Sequence, residues 1–517
     1  MPDKIPLKNL IAVGGALLGA FMAVLNIQVV NTSLPDIQGG IGTGLDNGGW
    51  ISTSYLIGEI VVIPLSGWLS QVFSLRRYLI GSTIVFLCFS AACGLADNFP
   101  EMVILRACQG FAGGVLIPLA LTCVLILLPP RALPTGLSVF ALTATMAPAI
   151  GPTIGGAITD LYGWRWIFFL NLVPGAVMLP ALIYGLAPAP MQLKKFGEGD
   201  WWGIVTVAIG LACLQIVLEE GNKDDWFGSP FITRLSIISA VALTAFIFRE
   251  LSARSPLVNL RLFKERNFAV STGANFMLGF VLYAAVYLIP VYLSQSHGYS
   301  AHQAGNVMIW IGLPQLAIIP FIPKLISRID VRYVLGFGFV AFAISCFMNL
   351  NLGPDDSGPQ MLLPNLIRAV GQACVMPTVS VIATAGLAPK DNSSASSLFN
   401  MMRNLGGAIG IAVTQTFVTN REKFHSTIIN TQVSLLDPAT QRRIAMLAHY
   451  FQSRGMADPA AARAQAIIAI GHTIQTQSYY FAYGDAFGML GFGMVAGAIA
   501  TCFLRKQPAA AASPGAH

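Results

Sequence analysis

Three stretches between Leu105 and Gly175 decide the fold of this chain. They read Leu105-Arg106-Ala107-Cys108-Gln109-Gly110, Gly151-Pro152-Thr153-Ile154-Gly155-Gly156, and Trp164-Arg165-Trp166-Ile167-Phe168-Phe169-Leu170-Asn171. The second stretch lies in an apolar run, where Gly151 and Gly155 share one helix face and let a neighbouring backbone approach closely. Pro152 removes one helix hydrogen bond and favours a kink. The pattern therefore predicts a bent, smooth-faced helix between two bundles that rock against each other.

Composition sets the class of protein. The 517 residues are 55% hydrophobic and only 10% charged, and the mean hydropathy is +0.67. A soluble domain carries roughly a quarter charged residues, so the chain is expected to be an all-α integral membrane protein. The first apolar run, about 10–30, is long enough to span a bilayer, and no cleavable signal peptide is expected.

Apolar runs predict fourteen transmembrane helices. They lie near 10–30, 48–69, 78–96, 101–128, 136–158, 166–186, 201–219, 231–248, 268–293, 303–325, 333–351, 360–384, 396–418 and 478–504. An even number places both termini on one side. Basic residues concentrate in the loops on that side, for example Arg76, Arg77, Lys194 and Lys195, which predicts that both termini are cytoplasmic.

The segment 419–477 is predicted to be a long extracytoplasmic loop. Asp437-Pro438 and Asp458-Pro459 each precede a stretch rich in Ala, Gln and Arg, which predicts two short soluble helices there. The Ala/Pro-rich tail, 506–517, is predicted to be a disordered cytoplasmic segment.

An internal repeat gives the domain plan. Arg106-Ala107-Cys108-Gln109-Gly110 is echoed by Arg368-Ala369-Val370-Gly371-Gln372, each with a proline downstream. If these helices correspond, two six-helix bundles flank two inserted helices, as in secondary transporters. The predicted units are a first bundle (1–190), the two linker helices (191–255), five helices of the second bundle (256–418), the loop (419–477), the last transmembrane helix (478–505) and the tail (506–517).

Several other classes of protein are disfavoured. No Gly-rich phosphate loop ending in Gly-Lys-Ser/Thr is present, as an ATP-driven pump would need. The six histidines lie outside the predicted spans and the eight cysteines lie in apolar segments, so we expect no enzyme activity, disulfide, metal site or cofactor. The net charge of +7 comes from residues at helix ends, which favours a membrane topology signal over nucleic-acid binding.

Further motifs stand in a fixed order along the chain. Asn31-Thr32-Ser33-Leu34-Pro35 ends the first span, Trp50-Ile51-Ser52-Thr53-Ser54-Tyr55 opens the second, and Gly67-Trp68-Leu69 closes it. Together with the three stretches above, they make the chain resemble the major facilitator superfamily, in its fourteen-helix drug:proton antiporter branch of the EmrB/QacA type. The resemblance covers almost the whole chain and implies that Gly151, Pro152, Gly155 and Gly156 form the antiporter hinge motif.

Two positions depart from the family pattern. Many relatives carry an aspartate in the first helix where this chain has Asn26, which removes a customary proton site. The loop after the second helix usually has an acidic residue and a glycine, where this chain has Gln71 and Ser74. The second departure puts in question the charge latch of the family's inward gate.

Two carboxyl groups are candidates for proton coupling. Glu59 lies nine residues into the second span, about 13 Å deep at 1.5 Å per residue. Desolvation at that depth favours its neutral form, so its proton affinity can change as the cavity opens. A structural carboxyl bonded to a neighbouring helix is the alternative. Asp485, about eight residues into the last span, is the second candidate, and a position at the helix mouth is its alternative.

Two arginines are candidates for charge relay or gating. Arg106 places a guanidinium in a span, at a cost of about 2.5–3.5 kcal/mol unless it finds a partner or water. The resemblance implies an inward-facing role with Gln109, and snorkelling to the interface stays open as the alternative. Arg403 is predicted near the cytoplasmic mouth, where bracing the gate and binding lipid head groups are both open.

Polar and aromatic side chains are candidates for the substrate cavity. The set comprises Asn26, Gln28, Tyr55, Tyr283, Tyr287 and Asn400. Tyrosine rings offer faces to a lipophilic cation. Plain interhelical hydrogen bonds for Asn26 and Gln28, and packing for the rings, are the alternatives.

The function implied by the resemblance is proton-coupled efflux of hydrophobic or cationic drugs across the bacterial cytoplasmic (inner) membrane. The proton gradient would be the energy source, without a cofactor. Expected partners are the substrates, membrane lipids, and a periplasmic adaptor with an outer-membrane channel. A dedicated exporter of one metabolite or siderophore, and a facilitator without proton coupling, remain the alternatives.

Overall fold

A computed structural model describes residues 5–44, 47–197, 199–253, 256–385, 387, 391–434 and 436–505. Every regular element within these ranges is a helix. The predicted disordered tail, 506–517, lies outside the described residues.

The first half of the chain forms nine helices. They are α1 (Leu7–Thr32), α2 (Leu34–Ile41), α3 (Gly49–Phe73), α4 (Leu75–Leu95), α5 (Phe99–Gly113), α6 (Leu116–Leu127), α7 (Leu133–Tyr162), α8 (Trp166–Phe169) and α9 (Leu172–Gly185). The predicted fourth span is thus a pair, α5 and α6. The antiporter motif lies inside α7, which continues through both Pro148 and Pro152.

One short and two longer helices lie in the linker between the halves, and eight described helices form the second half. The linker contains α10 (Lys194–Gly197), α11 (Trp201–Glu220) and α12 (Pro230–Ser252). The second half contains α13 (Arg266–His297), α14 (Ala301–Ile318), α15 (Ile322–Arg328), α16 (Val331–Phe347), α17 (Leu362–Thr384), α18 (Asn392–Gln432), α19 (Pro438–Ser453) and α20 (Pro459–Thr501). Short 3-10 helices cover Trp226–Gly228, Leu260–Lys264 and Ile319–Phe321.

Side-chain caps fix several helix starts. Asn98 accepts a hydrogen bond from the Glu101 backbone N–H at the start of α5, and Asp200 accepts one from Gly203 at the start of α11. Ser300 and Gln303 form a reciprocal capping box at the start of α14. Such caps satisfy backbone N–H groups that lack a partner within the helix, so these polar residues set where each helix begins.

Twelve helical segments in the described ranges are long and apolar enough to cross a membrane. The predicted spans 333–351 and 396–418 fall on α16 and α18, which are not among the twelve. Helix α16 has only 17 residues. The chain is therefore a multi-pass membrane protein, and the count of fourteen crossings stays a prediction.

Helix α7 lies between the two halves of the molecule. It packs against α1 of the first half and against α14 and α17 of the second. A Cβ atom on Gly155 would lie 3.0 Å from the Val29 Cα atom, and one on Gly156 would lie 3.4 Å from the His302 backbone nitrogen. The close backbone approach predicted for the glycines is confirmed, and its main partner is α1.

The bundle has a terminal end, which carries Leu7 and Arg505, and a distal end opposite. At the terminal end, the Asn9 side chain donates to the Leu127 carbonyl at 3.0 Å, and the Arg505 N–H donates to Asn267 at 2.9 Å. Helices α18 and α20 have 41 and 43 residues. At 1.5 Å per residue each exceeds about 60 Å, twice the thickness of a hydrocarbon core, so both project from the distal end.

The secondary structure predicted for 419–477 needs correction. The first of the two short helices is present as α19, which Asp437 caps. The second is not separate, because the helix that begins after the Asp458 cap continues without a break to Thr501 as α20. Helix α18 likewise runs past 418 to Gln432. Beyond the span of α18 the residues up to Gln432 include no Gly or Pro, and α20 continues through Gly471, so both helices extend beyond their apolar runs.

The cysteines of the described chain are all free. Although both lie in apolar segments, Cys88 and Cys502 are exposed in the isolated chain. No group of three or more His, Cys, Asp or Glu side chains in the described residues could hold a metal ion.

Candidate functional site

A cavity of about 890 Å³ lies between the two halves. Its walls come from α1, α3, α7, α11, α13, α14 and α18. The exposed residues Asn31 and Pro35 stand at its rim, at the distal end, and Glu59 and Asn404 form its floor. The cavity therefore opens toward the distal end.

Glu59 connects the two halves at the floor. Its side chain on α3 is 4% exposed, and its Oε1 accepts a hydrogen bond of 3.0 Å from Asn404 Nδ2 on α18. Its Oε2 has no hydrogen-bond partner. A buried polar atom without a partner is costly, which makes this oxygen a place for a proton or a ligand. The structural and the proton-coupling interpretation of Glu59 are therefore compatible. One oxygen bonds a neighbouring helix, and the other is available to a proton or a ligand.

Arg106 is enclosed in the first half. Its Nη1 donates to Asn26 at 2.8 Å and to Gln109 at 2.7 Å, and its Nε donates to the Ile51 carbonyl at 3.2 Å. The guanidinium carbon lies 4.3 Å from the centre of the Tyr55 ring. With 1% exposure, Arg106 does not snorkel to the interface. Arg106 therefore faces inward and contacts Gln109, and its role in charge relay or gating stays a prediction.

Three predicted cavity residues do not line the cavity. Asn26 is 2% exposed and holds Arg106, and Tyr55 is 0% exposed beneath the same guanidinium. Asn400 is 0% exposed and accepts a hydrogen bond of 3.0 Å from Arg403. Asn26 thus makes the interhelical hydrogen bond left open for it, from α1 to Arg106 on α5, whereas Asn400 bonds Arg403 within α18.

Arg403 lies inside the second half. It is 1% exposed, and besides Asn400 it contacts the Met376 sulfur at 3.8 Å. A buried guanidinium cannot bind lipid head groups at a surface, so that alternative is wrong for this conformation. Gly406 and Gly410 on the same helix face the backbone carbonyls of Phe276 and Phe280 on α13, so their spacing serves close helix packing.

Three residues predicted for the substrate cavity do line it: Gln28, Tyr283 and Tyr287. Pro152 of the antiporter motif lines it as well. The tyrosines stand on α13, and Pro152 presents the antiporter motif of α7 to the cavity wall. A Cβ atom on Gly151 would lie 2.5 Å from the Gln28 Cβ atom, so the missing side chain leaves room for Gln28.

Asp485 lies outside the cavity lining and is already paired. Its Oδ2 accepts hydrogen bonds from Arg421 at 2.6 Å and from the His425 ring at 2.8 Å. The carboxyl side chain is 31% exposed. This arrangement joins α18 to α20 and fits the mouth position left open for Asp485 better than a site in the transport path.

Serine hydroxyls close the cavity toward the terminal end. We call Ser66, Ser70, Ser393, Ser396 and Ser397 the serine seal. Ser66 and Ser397 share a hydrogen bond of 2.9 Å, and Ser70 and Ser393 share one of 3.4 Å. Ser396 donates to the Pro118 carbonyl at 2.7 Å. Neutral hydroxyls thus join α3 and α6 to α18 where the family's charge latch was in question.

The departures at Gln71 and Ser74 have a visible outcome. Gln71 accepts a hydrogen bond of 3.5 Å from Lys195, which joins the first half to its linker. Ser74 adopts a φ of 69°, the left-handed conformation that favours glycine. The loop between α3 and α4 therefore places Ser74 in a backbone conformation that glycine adopts more readily.

Sequence reasoning missed two carboxylates of the cavity wall. Glu219 and Glu220 end α11, and both line the cavity together with Gln215. The available signal was an adjacent acidic pair at the end of the apolar run 201–219. It was passed over because span length alone places such a pair at the membrane surface.

The comparisons with known proteins agree on the family. The sequence pattern of the Major Facilitator Superfamily matches residues 16–412. The colistin resistance protein EmrB of Acinetobacter baumannii is 31% identical over 97% of this chain and 98% of its own length. The multidrug export protein EmrB of Escherichia coli is 31% identical over 83% of this chain and 84% of its own length.

A solved structure supports the fold independently of sequence. The proton:xylose symporter XylE superposes with a TM-score of 0.59 at 14% identity, covering 96% of this chain and 95% of its own. The two chains therefore share one fold. The chain is a member of the major facilitator superfamily, and within that superfamily it belongs with the EmrB-type transporters.

Proposed function

We propose that this transporter exports hydrophobic or cationic drugs in exchange for protons, by alternating access. The names of the relatives support drug export, since they include a colistin resistance protein and a multidrug export protein. The wide cavity with tyrosine and carboxylate side chains supports lipophilic and cationic substrates. The proton gradient is the proposed energy source, with no cofactor.

The proposal depends on the position and hydrogen bonding of Glu59. Glu59 is buried at the cavity floor, bonded through one oxygen to Asn404 of the other half, and unpartnered at the second oxygen. A carboxyl group in this position can take up a proton, bind a cation, and act on the contact between the two halves. Coupling needs all three, because the ligand must change the relative free energies of the two conformations.

The exchange follows from this placement. In the conformation described here the cavity opens distally, and a proton from that side reaches Oε2 of Glu59. Neutralising the carboxylate weakens its charge-assisted hydrogen bond with Asn404, which favours opening at the terminal end. There a hydrophobic or cationic substrate enters and displaces the proton. The return to the distally open form exposes the substrate for release.

We assign the terminal end to the cytoplasm and the protein to the bacterial inner membrane. Basic residues such as Arg76, Arg77 and Lys194 lie at the terminal end, as the positive-inside rule requires of cytoplasmic loops. Both termini are then cytoplasmic, and the distally open form is outward-open. Cysteine labelling from the two sides of intact cells, at Arg77 and at Asp160, would test the assignment.

Dye accumulation in inverted vesicles tests the proposal. With an inside-acid gradient, the wild type should accumulate a lipophilic cationic dye, and an uncoupler should release it. Glu59→Gln keeps the size of the side chain and an oxygen for Asn404, but it cannot exchange a proton, so uphill uptake should be lost. Asp160→Asn, which removes an exposed carboxylate at the distal end, is the matched control.

Other results would redirect the proposal. Uphill uptake that survives Glu59→Gln would contradict its coupling role, and Asp485→Asn would then be examined as the second candidate. Uptake that the uncoupler does not change would favour the alternative of a facilitator without proton coupling. If structurally unrelated dyes neither accumulate nor compete, the chain is better described as an exporter of one metabolite or siderophore.

The distal extension is the proposed contact for a periplasmic adaptor that leads to an outer-membrane channel. It consists of the distal parts of α18 and α20 with α19 between them. Its reach beyond the membrane supports this proposal. Co-purification after crosslinking in the source cell, with and without residues 433–457, would test it, and recovery of no adaptor with the full chain would contradict it.

A further inference from the structure

The inserted helix α11 forms part of the cavity wall. It packs against α3 of the first half and α18 of the second, and it presents Gln215, Glu219 and Glu220 to the cavity. Just beyond it, Trp226 Nε1 donates a hydrogen bond of 3.1 Å to Thr416 on α18. The linker therefore contributes charged groups to the same space as the two bundles.

Helix stability does not explain the two carboxylates. They occupy the last two positions of α11, where the partial negative charge of the helix C-terminus disfavours an anion. Glu220 has compensation, with Thr53 Oγ1 at 3.3 Å and Lys223 Nζ at 3.6 Å. Glu219 accepts a hydrogen bond of 3.1 Å from Gln215, and it makes no salt bridge within the described chain. The pair thus adds negative charge to the cavity at a local cost.

The carboxylates stand at two levels of the cavity. Thr53, which contacts Glu220, precedes Glu59 by six residues on α3, and six residues of helix rise about 9 Å. Glu59 marks the deeper level with its unpartnered Oε2. Tyr283 and Tyr287 line the same cavity on α13. The space therefore has an anionic floor, aromatic walls and an anionic distal rim.

We propose that Glu219 is a second cation subsite, supplied by the inserted helix, which selects elongated lipophilic dications. One cationic group lies at Glu59 and the other at Glu219 and Glu220, with the apolar connection against the tyrosine rings. A cavity of about 890 Å³ accommodates a drug-sized molecule. This inference rests on the proposed drug export and names a substrate class for it.

Equilibrium binding to the purified, lipid-reconstituted protein, without any proton gradient, tests the subsite. The probes are a bis-pyridinium compound with its charges about 9 Å apart, matching the helical rise, and a mono-pyridinium compound with the same alkyl chain. The wild type should bind the dication more tightly. Glu219→Gln should weaken dication binding on the order of tenfold, the effect of about 1.4 kcal/mol, and change monocation binding less than about twofold. Glu219→Asp should restore most of the dication preference.

Asp225→Asn is the matched control, because it removes the same charge in the adjacent turn, on an exposed residue that does not line the cavity. Equal loss of both probes in Glu219→Gln, an unchanged dication preference, or binding of neither probe by the wild type would overturn the subsite. Since this assay uses no gradient, its failure is separate from failure of proton coupling, which the uncoupler and Glu59→Gln report.

Discussion

Replacing Asn404 by leucine should shift the protein toward the form that is open at the terminal end. The substitution removes the 3.0 Å hydrogen bond from Asn404 to Glu59, which joins α18 to α3 in the distally open form. A hydrogen bond to a charged group contributes about 1.5–3 kcal/mol, so the population ratio should change about 10- to 150-fold. If the two forms are of comparable free energy, a shift of this size is a change of the dominant state.

Spin labels can measure the shift directly. Arg77 at the start of α4 and Arg328 at the end of α15 are exposed at the terminal end, one on each half. Distances between labels at these positions should lengthen in Asn404→Leu, measured at high pH to favour the Glu59 carboxylate. Asn306→Ala is the control, because Asn306 is exposed on α14 and its side chain makes a long hydrogen bond, 3.5 Å, to His302 of the same helix.

A double-mutant cycle sharpens the result. In the Glu59→Gln background the bond from Asn404 joins neutral groups, worth about 0.5–1.5 kcal/mol, so Asn404→Leu should change the ratio only about 2- to 13-fold. An unchanged distance distribution in Asn404→Leu, or the same shift in both backgrounds, would refute the idea that this bond holds the terminal end closed.

Three further outcomes are expected. Gly155→Ala should destabilise the fold by about 1–3 kcal/mol and slow transport, because its Cβ atom would lie 3.0 Å from Val29; thermal unfolding and dye efflux measure both. Arg106→Lys should lower thermal stability, because an ammonium cannot replace the guanidinium bonds to Asn26, Gln109 and the Ile51 carbonyl. Asp437→Ala should speed amide hydrogen exchange at the start of α19. The Thr440 N–H holds the pKa of Asp437 below its usual range, so the cap persists at neutral pH and is lost as pH falls through that lowered pKa.

Controls separate these effects from general damage. Gly14→Ala introduces a Cβ atom with nothing within 4 Å, so stability and transport should stay unchanged. Arg165→Lys alters an exposed pair in which Asp97 is 82% exposed, so thermal stability should not move. Exchange at the start of α20, capped by Asp458, should be unaffected by Asp437→Ala. Equal changes in any of these controls would contradict the corresponding mechanism.

The sequence was sufficient for the broad architecture because hydropathy and small-residue spacing act locally. The apolar runs predicted the positions of the membrane helices, and Gly151 with Gly155 predicted a close helix contact. It was insufficient for helix ends. Hydropathy indicates where a helix leaves the bilayer. The start of α20, in contrast, is determined by backbone hydrogen bonding and the Asp458 cap. The extension of α18 and α20 beyond the membrane was therefore missed.

Partners across the bundle were also beyond the sequence. The cost of a buried charge predicted that Arg106 needs a partner, but not that Asn26 on α1 would supply it. Asn26 and Tyr55 were consequently expected in the cavity, where Glu219 and Glu220 stand instead. Which face of a helix meets the cavity depends on the packing of several helices at once, and no local pattern of residues determines it.

The serine seal implies that opening at the terminal end depends on the size of the side chains there more than on ionic strength. Neutral hydrogen bonds contribute about 0.5–1.5 kcal/mol each, and a single proton crossing 100 mV releases about 2.3 kcal/mol. The free energy from one proton per cycle is therefore of the right order to break the hydrogen bonds of the seal, and ionic strength should hardly affect its opening. The limit is steric. A Cβ atom on Gly67 would lie 3.2 Å from the Ser393 and Ser397 hydroxyls. A single added methyl group there can therefore prevent α3 and α18 from closing fully at the terminal end.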